Sequence, residues 1–193
     1  MLNISKKNII FFILFFLIIS LILFNWKYFS LVNKENLESL KYEKIIKKIN
    51  KKKSKNLYEV ENFIVQNTSI YGTLTALSLA KKYVECNNLD KALLQLNNSL
   101  KYTKEENLKN LLKINIAKIQ IQKNENNKAM NILETIQNHN WKNIIEHMKG
   151  DIFININNKK EAIKSWKKSL FIEDSNASKE IINMKLNELK EQN

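Results

Sequence analysis

Arginine and proline are absent from this 193-residue chain, and it holds only two glycines and one cysteine. A single cysteine excludes a disulfide framework and leaves too few thiols for a cysteine-based zinc finger. Two glycines exclude the Gly-rich phosphate loops of nucleotide-binding folds, which need two or three close together. Without proline, and with so little glycine, a turn-rich all-β fold is disfavoured. Alanine is scarce at seven, whereas Asn reaches 30 and Ile 27. An all-α chain is what these absences leave.

The charge is one-sided, with 32 basic residues, all Lys, against 19 acids and a formal net charge of +13. Lys, Asn and Ile are the residues of AT-rich codons, so much of this charge reads as nucleotide bias. Arg is the preferred bidentate reader of phosphate and guanine; its absence argues against a nucleic-acid partner. The excess is uneven. Residues 27–56 hold ten Lys and three Glu, a net of +7, and residues 57–193 carry only +4. Lys47-Lys48 and Lys51-Lys52-Lys53 concentrate it. Two readings stay open for this cluster. It can attract anionic lipid headgroups at about 1 kcal/mol per Lys, or it is a solvated helix end.

Ile9 to Phe24 is a run of sixteen residues, fifteen of them Ile, Leu or Phe, interrupted only by Ser20. At about −0.3 to −0.6 kcal/mol per central apolar residue, insertion into a bilayer is favoured by roughly 5–9 kcal/mol. Sixteen helical residues reach ~24 Å, short of a ~30 Å hydrocarbon core. Trp26, Tyr28 and Phe29 extend the run on one side and Leu2 and Ile4 on the other, while Lys6 and Lys7 can snorkel. A cleaved signal peptide is the alternative, but the run is long for one and Asn25-Trp26-Lys27 offers no small-x-small site. An uncleaved anchor is expected. Orientation stays open, because Lys lies on both sides of the span.

Beyond residue 30 two short apolar stripes follow, Leu37 to Ile49 and Leu57 to Ile64, and Asn67-Thr68-Ser69 breaks the second. An internal repeat then begins. Ala80 and Ala92 are twelve residues apart, as are Ala117 and Ala129, and Gly150 and Ala162. The first members of the pairs lie 37 and 33 residues apart. Each pair brackets an Asn-rich break: Asn87-Asn88, Asn124 to Asn127, and Asn157-Asn158. Four residues past the second small residue stands a large apolar one, Leu96, Leu133 or Trp166. This is the pattern of antiparallel helix pairs. Small residues let the helix backbones approach closely, and Asn tolerates the left-handed conformation that ends a helix. Ile181, Ile182, Leu186 and Leu189 read as a terminal helix shielding the last apolar face.

The spacing of small and large residues resembles the tetratricopeptide repeat, although the repeat's proline is missing and Ala76, Lys113 and Glu146 stand where its Trp would. The whole chain resembles the YfgM family, ancillary subunits of the bacterial Sec translocon. The resemblance rests on Asn25-Trp26-Lys27-Tyr28-Phe29-Ser30, Tyr71-Gly72-Thr73-Leu74, Leu79-Ala80-Lys81-Lys82-Tyr83-Val84 and Asn88-Leu89-Asp90-Lys91-Ala92. It continues through Ala117-Lys118-Ile119-Gln120-Ile121-Gln122, Ala162-Ile163-Lys164-Ser165-Trp166 and Met184-Lys185-Leu186-Asn187. It implies a bacterial inner-membrane protein with a cytoplasmic N-terminus and a periplasmic repeat domain. The partners it implies are Sec translocon subunits, a membrane-anchored periplasmic chaperone and membrane lipid, with newly translocated chains handed on. The rival is a cytoplasm-facing adaptor of the same fold.

The expected organisation is a tail at 1–8, a transmembrane helix at 9–29, a juxtamembrane helix pair at 30–69 and a repeat domain at 70–193 with its capping helix. No catalytic set, cofactor or metal site is expected. His139 and His147 lie eight apart, where a helical zinc pair wants four. Cys86 has no His or Cys near it in sequence. Glu105-Glu106 and Glu173-Asp174 fall at turns where acids favour helix N-termini. By the repeat template, Leu74, Leu77, Lys81, Ile114, Lys118, Ile121, His147 and Asp151 share the concave side and are the candidate protein-binding residues. The competing reading buries this face as core. Ala80, Ala92, Ala117, Ala129, Gly150 and Ala162 are expected at the packing contacts.

Overall fold

A computed structural model describes residues 6–50 and 57–191. Residues 1–5, with Leu2 and Ile4 of the extended span, and Lys51-Lys52-Lys53 of the basic cluster lie outside the described residues. The architecture is all-α with no strand among the described residues. The chain divides into two units, Met1–Lys44 and Ile45–Asn193.

The first unit lies on helix α1 (Lys6–Asn50). With neither Gly nor Pro in this stretch, nothing interrupts the helical hydrogen bonds, and α1 passes without a break through residue 29, where the aromatic belt ends. Asn25 Nδ2 donates to Leu21 O at 3.0 Å, so its polar group is satisfied within the helix. Phe16, Leu17, Leu21, Ile22 and Phe24 are each more than half exposed. Among the described residues α1 is the one helix long and apolar enough to cross a bilayer. An apolar band this large is unstable against water and fits a membrane protein.

The second unit begins inside α1, because Ile45 and Ile49 are 3 % and 2 % exposed. Lys48 pairs with Glu59 on α2 (Tyr58–Gln66), and the Lys82 ammonium donates to Ile49 O. Three helix hairpins follow: α3 (Ile70–Glu85) with α4 (Leu89–Tyr102), α5 (Glu106–Gln122) with α6 (Asn126–Glu134), and α7 (Lys142–Asn155) with α8 (Lys159–Ile172). A single 3-10 turn, His139–Trp141, leads from α6 into α7, and α9 (Asn176–Glu191) closes the stack. Between α2 and α3 the chain turns so closely that a Cβ on Gly72 would lie 2.0 Å from Asn67 O.

The hairpin turns explain the asparagines. Asn87, Asn124 and Asn157 have φ of 55°, 60° and 60°. Each ends its helix by the same two bonds: Asn87 N donates to Val84 O and Asn88 N to Tyr83 O, and residues 124–125 and 157–158 repeat the pattern. This is the Schellman arrangement, with Asn where Gly is usual. Asn88 and Asn158 then cap the next helix, accepting from Lys91 N and Glu161 N. We expect Asn124→Gly to melt near the parent temperature. Asn124→Val should cost about 1–2 kcal/mol, because a β-branched side chain at positive φ crowds the following carbonyl. Equal melting of the two variants would remove the left-handed turn from the account.

Each second helix buries residues at i and i+4, Ala92 and Leu96, Ala129 and Leu133, and Ala162 and Trp166; α4 and α8 add i+7, Ser99 and Ser169, while Ile136 is buried just past the end of α6. All six small residues that carry the repeat are buried. Ser99 and Ser169 reach the i+7 position without leaving orphan hydroxyls, since Ser169 Oγ donates to Asn143 O at 2.8 Å and Ser99 Oγ lies 3.5 Å from Thr103 Oγ1. On α9, Ile182, Leu186 and Leu189 cluster with Trp166. Ile181, expected with them, is half exposed. It lies 100° around the helix from Ile182, off the face that 182, 186 and 189 define.

Candidate functional site

The first helices of the hairpins, α3, α5 and α7, are neighbours in the stack. The repeat spacing puts equivalent residues in register across them. Leu77, Ile114 and His147 form one row, and Lys81, Lys118 and Asp151 the next, one helical turn on. Of these six, Leu77 and His147 in the first row and Lys81, Lys118 and Asp151 in the second are at least partly exposed.

Two depressions open on this face and share Lys118 as a wall. The first, of about 590 Å³, lies between α3 and α5 and is lined by Leu77, Lys81, Val84, Asn115 and Lys118. The second, of about 270 Å³, is lined by Lys118 and Ile121 of α5, Ile144, His147 and Asp151 of α7, and Lys185 of α9. Six of the eight candidate residues thus line one depression or the other. Leu74 is half-buried and lines neither. Ile114 is 1 % exposed and packs in the core with Ala117, Ala129 and Leu133. Its row turns inward at α5, where Ala129 and Leu133 of α6 and Ile145, Met148 and Ile152 of α7 share its cluster.

The polar end of the second depression is a tight network. Lys185 Nζ donates to Asp151 Oδ1 at 2.6 Å and to His147 Nε2 at 2.8 Å. An ammonium has only protons to give, so Nε2 accepts and the imidazole proton resides on Nδ1. Trp166 Nε1 donates to Asp151 Oδ1 at 3.0 Å and to His147 O at 3.1 Å. The Lys185 ammonium also lies 5.5 Å from the centre of the Trp166 ring, a favourable cation–π distance. Burial, and then the Lys185 charge, push His147 below the ordinary histidine value, against the opposing pull of Asp151 and Glu173. The imidazole is therefore neutral at neutral pH, which suits its acceptor role.

Lys185 was hidden in the sequence, where it reads as one more lysine on a capping helix. Its signal was positional: it lies three residues after Ile182 and four before Leu189, on the packed face. Trp166 fills apolar space, as its place in the repeat predicts, and its indole N–H goes further by fixing Asp151.

The remaining polar candidates lie elsewhere. Cys86 is exposed at the end of α3. His139 is exposed in the 3-10 turn. Glu105 caps α5, its carboxylate accepting from Asn107 N at 2.9 Å and Leu108 N at 2.7 Å. Glu173 accepts from Ser175 N and from Asn143 Nδ2. Asp151, held by a lysine and an indole, is placed as a structural anion. What this face offers is apolar recesses with charged edges, suited to holding a segment of another chain.

Comparisons with known proteins converge on one group. A family profile described as a tetratricopeptide repeat-like domain matches residues 5–191. The "Ancillary SecYEG translocon subunit" of Buchnera aphidicola subsp. Schizaphis graminum is 60% identical over 178 residues, covering 92% of each chain. The protein of the same name from Escherichia coli K12 is 29% identical over 169 residues, covering 86% of this chain and 82% of its own. A third, from Buchnera aphidicola subsp. Baizongia pistaciae, is 30% identical over 127 residues, or 66% of each chain. No solved structure matches the chain.

Proposed function

The chain belongs to the family of ancillary SecYEG translocon subunits, and on that premise we propose that it is a membrane-anchored binding protein of the translocon, not an enzyme. In this reading α1 holds the protein in the bacterial inner membrane with its N-terminus cytoplasmic. The repeat domain faces the periplasm and receives newly translocated chains on the face of α3, α5 and α7, passing them to a membrane-anchored chaperone. The observation that carries the reading is the pair of adjoining depressions sharing Lys118. Their apolar floors suit extended or helical segments of unfolded chains, and their charged edges favour solvated release.

Cys86 is the one thiol of the chain and is exposed at the end of α3, beside the Val84 and Glu85 wall of the first depression. It reports on both orientation and partner. A membrane-impermeant maleimide should label Cys86 in cells whose outer membrane alone is permeabilised. A thiol-linked photocrosslinker at Cys86 should capture newly translocated chains, with lower yield after Lys81→Glu/Lys118→Glu. Labelling only after the inner membrane is broken would support the cytoplasm-facing adaptor instead. Unchanged crosslinking by the double variant would remove the depressions from the proposal.

A further inference from the structure

On the outer surface of the last hairpin, away from the rows of the first helices, a third recess of about 900 Å³ opens between the start of α7 and α8. We infer that this recess is a docking site for an acidic amphipathic segment of a partner protein. Its lining contains His139, Lys142, Lys160, Lys164, Lys167 and Lys168 and no acidic residue. That is five of the twenty lysines of residues 57–193, a stretch whose net charge is only +4. Two of the five have an acidic neighbour: Lys164 lies 3.3 Å from Glu161 and Lys168 3.9 Å from Glu146. The positive potential over the recess is thus largely uncompensated. Codon bias accounts for the abundance of lysine, but not for a lining that gathers five lysines and no acid.

The floor is apolar. Ile163 and Ile172 are half-buried within the recess, and Phe171 stands on its rim at 92 % exposure. A ring so exposed contributes almost nothing to the fold, and it shares the recess with both the lysines and the two isoleucines. Apolar floor and cationic edge together select a ligand with one apolar side chain flanked by carboxylates. Charge complementarity names the sign of the occupant, and shape names its class. A flat anionic bilayer would meet Phe171 and the lysines but leave the sunken Ile163 and Ile172 unfilled. A side chain projecting from an acidic helix or strand reaches them.

The test uses the full chain in detergent and two fluorescein-labelled eighteen-residue amphipathic peptides. One carries Leu and Trp on one face and Glu on the other, and its twin has Gln for every Glu. At low salt the acidic peptide should bind at least tenfold tighter than its twin, and the difference should shrink as salt rises. Lys160→Glu/Lys164→Glu/Lys167→Glu should remove the preference, and Phe171→Ser should weaken binding severalfold with an unchanged melting temperature. Lys91→Glu/Lys101→Glu/Lys104→Glu, exposed lysines outside all three recesses that change the net charge equally, should bind as the parent does. Equal loss in that control would reduce the effect to net charge and overturn the site. So would equal binding of the two peptides, or binding to phosphatidylglycerol vesicles that depends on the recess while the acidic peptide does not bind.

Discussion

Gly150→Ala should lower the melting temperature by several degrees, although Ala is the better helix former by about 1 kcal/mol. A Cβ on residue 150 would lie 2.2 Å from both Cδ1 and Nε1 of Trp166. The indole cannot swing away freely, since its N–H is held by Asp151 and by His147 O and the Lys185 ammonium lies over its ring. Overpacking of this kind costs about 1–3 kcal/mol, or roughly 2–4 °C per kcal/mol for a unit of this size. The other hairpins show the remedy. Ala80 shares a core with Leu96, and Ala117 with Leu133; only the third pairs Gly with Trp. Trp166→Leu alone should destabilise by leaving a cavity and by freeing Asp151. Gly150→Ala/Trp166→Leu restores the size relation of the other two hairpins, so it should be more stable than the two single effects add up to, by about 0.5–3 kcal/mol. Strict additivity in melting curves would mean that residues 150 and 166 do not share one space.

That exchange of volume is visible in the sequence because it is written in rare residues, and the turns are visible because they recur at one place in the repeat. A chain with two Gly and seven Ala that sets six of them at twelve-residue spacing declares where helices touch. Asn is abundant, and it declares positive φ at the breaks by recurring at the equivalent position of each hairpin, 87, 124 and 157. Lysine carries no such signal here. Lys185 binds the network around His147, Lys160 edges a recess, and Lys91 merely lies near Tyr83, yet in a lysine-rich chain all three look alike. Only the fold sorts them. Of the eight residues placed on the face of the first helices, Ile114 alone went deep into the core, because the template fixes a residue's angle around its helix but not how closely the next helix covers it. The short α6 was equally hidden. It ends at Glu134 because the polar stretch Gln137 to Asn140 continues no apolar stripe, and Ile136 folds back into the core by itself.

The boundary between anchor and repeat domain decides the second large effect. By composition the soluble part would begin at Leu57, after the lysine cluster. A fragment of residues 57–193, however, lacks Ile45 and Ile49, which are buried within the second unit. Burying an Ile contributes about 1.5–3 kcal/mol, so their loss removes roughly 3–6 kcal/mol. It also leaves Glu59 and Lys82 without their partners on α1. Against a marginal total stability of about 5–15 kcal/mol, that is a severe cost. We therefore expect residues 41–193 to melt cooperatively and residues 57–193 to melt at least 10 °C lower or to aggregate. The comparison matters for the proposed translocon contact. If span and repeat domain both touch the partner, tethering them raises the effective concentration of each weak site. Residues 41–193 should then fold and still recover far fewer translocon subunits from detergent extracts than the full chain. A weak pull-down by residues 57–193 would not test this, because a destabilised domain binds poorly whatever the span does. Equal recovery by residues 41–193 and the full chain would place the whole interaction on the repeat domain and leave α1 as a tether.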